Sequence, residues 1–155
     1  MLNTDLAWLA GIWDGEGSIT IFSHTEKTGN TKLCPTCCVV NTDVNIVNKV
    51  RRILEELGCS FVLHEHKPKN KKHKLQWRLT TRNMTYIKIF LEAIIEYLVG
   101  DKKAKGEIVL SYVTQRLNKL ETRSYNGTTT YDDEDWEYLS KIRSSQTTRE
   151  APLNR

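Results

Sequence analysis

Several things are missing from this 155-residue sequence, and each absence removes a class of protein. No apolar run reaches the ~18 residues that a membrane-crossing helix needs, so no membrane partner is expected. The N-terminus lacks the basic-then-apolar pattern of a secretion signal. That points to a soluble intracellular protein. A large excess of one charge is lacking too. The 23 basic residues stand against 19 acidic ones, a net +4, so total charge alone does not establish a nucleic-acid partner. Of the four cysteines, Cys34, Cys37, Cys38 and Cys59, only one pair has Cys-x-x-Cys spacing, and a zinc site would need a second. Positions 34 and 37 also point to opposite faces of a strand, so ordinary thiols in a reducing compartment are expected.

What is present is unevenly distributed. Residues 64–78 carry Lys67, Lys69, Lys71, Lys72, Lys74 and Arg78 against the single acid Glu65. Residues 132–137 carry Asp132, Asp133, Glu134, Asp135 and Glu137. Such a split suggests one surface facing a polyanion and another turned away from it. The length fits one domain over 1–155, with a core over about 4–120, a helical extension to about 146 and a loose tail.

The stretch around which the chain is organised is Leu9-Ala-Gly-Ile-Trp-Asp-Gly-Glu-Gly17. Thr4 reads as the N-cap of a helix that ends at Asp14 to Gly17 and hands over to an alternating strand, Ser18 to Phe22. Ala7, Gly11 and Gly15 fall at i, i+4 and i+8, one narrow stripe. Glycine inside a helix costs about 1 kcal/mol against alanine, so something should offset Gly11. A stripe without side chains lets a second backbone come unusually close. Leu6, Leu9, Ile12 and Trp13 make the remaining sides apolar, as in a buried helix, yet the helix ends in two acids, Asp14 and Glu16.

This stretch resembles the signature motif of the LAGLIDADG homing endonucleases at all nine positions, with Ile, Trp, Gly and Glu as variants. The chain holds one copy. In that family one copy implies a homodimer, two motif helices packed across a two-fold axis through Ala7, Gly11 and Gly15. The resemblance also implies a double-stranded DNA target, a long pseudo-palindromic site cut on both strands to leave 3′ overhangs, and a role in intron mobility. Glu16, assisted by the Gly15 carbonyl, corresponds to the metal ligand, for Mg2+ or Mn2+. Such a cation prefers few carboxylates, several waters and phosphate oxygens, which suits one glutamate per subunit. Asp14 corresponds to an acid that tends to hold helix ends together. Lys102, or else Lys103, matches the active-site lysine after the sheet. Asn41-Thr42 stands where the family often places a water-organising side chain, although Thr42 could equally be a helix cap. Two alternatives remain within this reading: an intron maturase, whose partner would be intron RNA, and a catalytically silent DNA-binding regulator.

The element order is read as αββαββα plus C-terminal helices, an α+β fold with helices on one face of a four-stranded antiparallel sheet. Helices are placed at about 4–15, 43–57 (Gly58 closing it), 84–98 (Gly100 ending it), 102–120 and 132–143. Strands are placed at about 17–26, 32–41, 60–66 and 74–81, and 121–130 is read as loop. In the fourth strand Leu75, Trp77 and Leu79 alternate with Lys74, Gln76, Arg78 and Thr80. The second set, with Ser18, Thr20, Phe22 and His24 of the first strand and His64 and His66 of the third, is assigned to an open face. A plain solvated face is the alternative. The resemblance turns that face toward DNA, with Lys71 and Lys72 beside phosphates. The second strand is too apolar for its faces to be told apart.

Overall fold

The computed structural model describes residues 2–70, 72–122 and 131–147. In chain order the elements are α1 (Asn3–Glu16), β1 (Gly17–Thr25), β2 (Thr31–Asn41), α2 (Val44–Glu56), β3 (Val62–His66), β4 (Gln76–Thr81), α3 (Met84–Ile94), α4 (Gly100–Thr122) and α5 (Asp133–Thr147). This is the expected αββαββα order followed by two further helices, α4 and α5. None of the described helices is long and apolar enough to cross a membrane. Lys71, residues 123–130 of the expected loop and residues 148–155 of the expected tail lie outside the described residues.

Most ends follow local chemistry. The Asp43 carboxylate accepts the Asn45 amide at 2.8 Å and starts α2, so Asp43, not Thr42, is the cap. Gly58 closes that helix at φ +79, a backbone conformation that suits glycine. The Asn83 side chain accepts from the Thr85 and Tyr86 amides and starts α3. Two expectations fail. Thr4 lies inside α1, whose N-cap is Leu2, with no side-chain cap. Gly100, at φ +56, begins α4, whereas α3 already stops at Ile94.

The sheet order is β1-β2-β4-β3, antiparallel throughout. The β1–β2 and β3–β4 hairpins extend in opposite directions and overlap where Gly17, Val39, Leu79 and Leu63 align. Leu79, Val39, Ile19 and Cys37 point under the helices and are buried with Val47, Val50, Ile53 and Leu54 of α2 and Ile87, Phe90, Leu91 and Ile94 of α3. Trp13 is fully buried at the centre, its ring 4.5 Å from Phe90 and 5.9 Å from Phe61, centroid to centroid. Such aromatic contacts add to plain area burial.

The turn from α1 into β1 depends on Trp13. A Cβ at Gly17 would fall 2.3 Å from Trp13 Cδ1 and 2.7 Å from its carbonyl oxygen, and a fully buried indole has nowhere to go. Gly17→Ala is therefore expected to destabilise the fold by about 2–3 kcal/mol, read as a lowered denaturant midpoint. An unchanged midpoint would mean that the helix end can shift.

The acidic run was expected to lie on a surface turned away from a polyanion; within it Asp132, Asp133, Glu134 and Glu137 are exposed, but Asp135 is not a surface residue. Asp135 is fully buried, 3.3 Å from the buried guanidinium of Arg116, which also stacks on Tyr131 at 4.4 Å. Asp132 and Asp135 cap each other's amides, at 3.1 and 2.9 Å, and Lys119 reaches Asp132 at 2.7 Å and Glu134 at 3.3 Å. These charges dock α5 on α4. The hydrogen bond from Lys119, then that from the Asp135 amide, hold the Asp132 carboxyl down from 3.8 to about 2. A carboxyl more acidic folded than unfolded stabilises the fold above its unfolded pKa and loses that contribution as pH falls toward the folded one. As pH falls from about 5 to 2, α5 amides should lose protection relative to their intrinsic exchange rates, and Asp132→Asn should flatten that dependence.

Candidate nucleic-acid interface and active site

The pairing register arranges the sheet's second face, opposite the side chains of the core, in rows. His24 stands opposite Lys32, Phe22 opposite Cys34, and Thr20 opposite Thr36. Ser18, Cys38, Thr80 and Val62 then align across all four strands, followed by Val40, Arg78 and His64, and by Gln76 with His66. Ser18, Thr20, Phe22, His24, His64, His66, Gln76, Arg78 and Thr80 thus share one face. Thr20 differs from the rest, because it and Thr36 are only 6% and 7% exposed and present little hydroxyl surface. Lys74 lies just before β4 and Lys72 in the preceding turn, both exposed, with the Lys72 amide held by the Asn70 side chain at 3.0 Å.

Lys32, Cys34, Cys38, Val40 and Val62 belong to this face as well, and sequence reasoning missed them. Lys32 carries the usable signal, because continuing its parity through β2 lands on 34, 36, 38 and 40. Burial of the Cys38 thiol raises its pKa against the opposing pull of the nearby Arg78 and Lys102 charges. Cys37 faces the core, its thiol pushed far up by complete burial, so Cys34 and Cys37 point to opposite faces, as strand geometry requires.

At the head of the Ser18 row, α1 delivers Glu16. Its carboxylate is exposed and has no hydrogen bond or ion pair among the described residues. The Lys102 ammonium donates to the Gly17 carbonyl, one residue away in the chain from Glu16. What brings residue 102 there is Asp14, whose carboxylate accepts the Val99 amide at 3.2 Å and ties the start of α4 to the end of α1. Lys103 makes no side-chain contact of this kind among the described residues, and Lys105 is paired with Asp101 at 2.9 Å. Asn41 uses its side-chain oxygen to hold the Asp43 amide at 2.8 Å, which leaves Thr42 exposed and outside the cap.

On the other side of α1, Ala7, Gly11 and Gly15 are all exposed, while Leu9, Ala10 and Trp13 are fully buried. A Cβ added at Gly11 or Gly15 meets nothing within 4 Å. The helix is therefore buried on one side only, and its bare stripe opens away from the rest of the chain.

No group of three or more His, Cys, Asp or Glu is placed to hold a metal ion among the described residues. What is present is one unpaired carboxylate beside backbone carbonyls. Hard oxygen donors of that kind fit magnesium or manganese, provided that water, phosphate and a second chain complete the set.

The fold is that of the LAGLIDADG homing endonucleases. Homing endonuclease I-CvuI, in complex with a DNA target left uncleaved in the presence of magnesium, is 19% identical over 90% of this chain and 95% of its own, with a TM-score of 0.59. The archaeal intron-encoded homing endonuclease I-Vdi141I, complexed with DNA, is 16% identical over 93% and 98%, with a TM-score of 0.58. The LAGLIDADG meganuclease I-AabMI, bound to uncleaved DNA, is 17% identical over 92% of this chain but only 43% of its own, with a TM-score of 0.59. Among curated protein sequences no match is found. The LAGLIDADG-like domain model matches residues 3–94, and the chain belongs to that family.

Proposed function

We propose that the protein is a homodimeric homing endonuclease that binds a long pseudo-palindromic DNA duplex along the open sheet face and hydrolyses both strands, leaving 3′ overhangs and so promoting intron mobility. The observation that carries this reading is the Lys102 ammonium donating to the Gly17 carbonyl, one residue along the chain from Glu16. The fold brings Lys102 to the segment that carries the exposed carboxylate of Glu16, at the head of a row of donors and acceptors, although 86 positions separate the two in sequence.

Each part has a physical task. Ser18, Gln76, Arg78, Thr80, His64 and His66 supply groups that can read base edges, and Lys72 and Lys74 supply charge for phosphates. Lys102, anchored on the Gly17 carbonyl, offers positive charge to a phosphate brought to the same end of the sheet. Glu16, with the Gly15 carbonyl, would hold a magnesium or manganese ion. Such a cation supplies charge neutralisation at the phosphate and a more acidic water. Two glutamates near a dyad repel each other unless a cation or proton lies between them, so each subunit's acid favours a filled site. The chain matches nearly the whole of I-CvuI and less than half of I-AabMI, as one half of a two-lobed arrangement would. A second copy meeting the bare stripe of α1 completes it. A silent regulator would have no use for an exposed, unpaired Glu16 at this helix end, and no feature of the described surface favours intron RNA.

The test is direct. Incubated with a random duplex library and magnesium, the protein should enrich one family of cleaved ends with 3′ extensions. Intact DNA under every divalent cation would refute the assignment.

A further inference from the structure

The open face is unusually apolar for a sheet surface turned to solvent. Phe22 is 54% and Val62 57% exposed, and Val40, Cys34 and Cys38 are half-buried on the same face. An antiparallel sheet with one free face normally alternates cleanly to polar side chains there. Here the second strand's contribution is Lys32, Cys34, Thr36, Cys38 and Val40, a strip with one charge. The register gives it polar borders, with Ser18 and Thr80 on either side of Cys38, and Arg78 then His64 beyond Val40. Apolar patches rimmed by polar groups mark binding surfaces. At a base edge in the major groove the protruding apolar group is the 5-methyl of a pyrimidine, the other positions being donors, acceptors or a bare C–H.

We infer that this protein reads its DNA partly through pyrimidine 5-methyl groups, with Phe22 in the β1–β2 arm and Val40 and Val62 in the centre as the side chains that contact them. This rests on the DNA-binding reading above and narrows it. The half-site carries methylated pyrimidines at the steps facing these three residues, beside positions read by Arg78, Ser18 and Thr80. Val40 and Arg78 are direct cross-strand partners, so a methyl-bearing base next to a guanine is the expected local pattern.

Exchanging thymine for uracil removes the methyl and keeps every hydrogen-bonding group, so the unaltered protein can be tested without a variant. Affinity is selected from three random duplex pools, one with thymine, one with uracil in its place, and one with uracil plus 5-methylcytosine. The thymine pool should yield tight binders whose uracil copies bind at least about tenfold more weakly. Rescue in the third pool means that the methyl is read on either base, and absence of rescue confines the reading to thymine. Val40→Ser with Val62→Ser, which leaves no methyl at either position, should lower the thymine preference at least about threefold, Phe22 keeping the remainder. Equal affinity of the unaltered protein for thymine and uracil copies overturns the inference and leaves DNA binding intact. Undiminished preference in the double variant overturns the assignment to Val40 and Val62. Failure to bind any pool overturns the DNA reading, and this inference with it.

Discussion

Glu16→Gln is expected to lower DNA cleavage by roughly three orders of magnitude or more while leaving DNA binding within about twofold. The substitution keeps the shape and removes the charge, so it isolates the carboxylate's role. Nothing in the fold depends on that charge, because Glu16 is exposed and has no partner among the described residues. A loss of stability should therefore be absent, which separates this variant from Gly17→Ala one position later. The measurement pairs a strand-cleavage assay in magnesium with a binding assay in calcium. Cleavage that persists with magnesium would show that the acid holds no metal needed for the reaction. Loss of binding together with cleavage would instead assign Glu16 to recognition.

How much of this was legible beforehand depended on whether the two faces of an element differ in chemistry. In β4, Trp77 and Leu79 oppose Gln76, Arg78 and Thr80, and the faces can be told apart from the residues alone. In β2, cysteine and valine occur on both faces, and only pairing with β1 and β4 shows that Cys38 and Val40 look outward. Local caps such as Asp43 are written in the chain, and Asn83 was there to be read. Thr4 was misread because α1 starts one residue earlier without any side-chain cap. The placement of Lys102 could not come from local rules, since it follows from a contact between Asp14 and the Val99 amide, 85 positions apart. A buried charge pair such as Arg116 with Asp135 is equally hidden, because in sequence such residues look like surface.

Gly11→Leu should leave the fold of each chain intact and abolish both dimer formation and cleavage. A Cβ there finds nothing within 4 Å among the described residues, so the leucine side chain starts into open space. It also replaces a residue that costs an isolated helix about 1 kcal/mol, so the monomer should hold or gain stability. Any penalty must then come from a second molecule. With the stripe Ala7, Gly11 and Gly15 bare, two α1 helices can approach backbone to backbone, and a leucine side chain in that seam forces them apart. Glu16 ends the same helix, so in the proposed dimer separating the stripes would also separate the two carboxylates. Sedimentation should show a dimer for the unaltered chain and a monomer for the variant, with thermal stability of the variant equal or higher at low concentration. A variant that dimerises and cuts normally would mean that copies associate elsewhere, and that Gly11 is bare for some other reason. Monomeric behaviour of the unaltered protein, alone and on DNA, would remove the second glutamate and with it the two-strand cut.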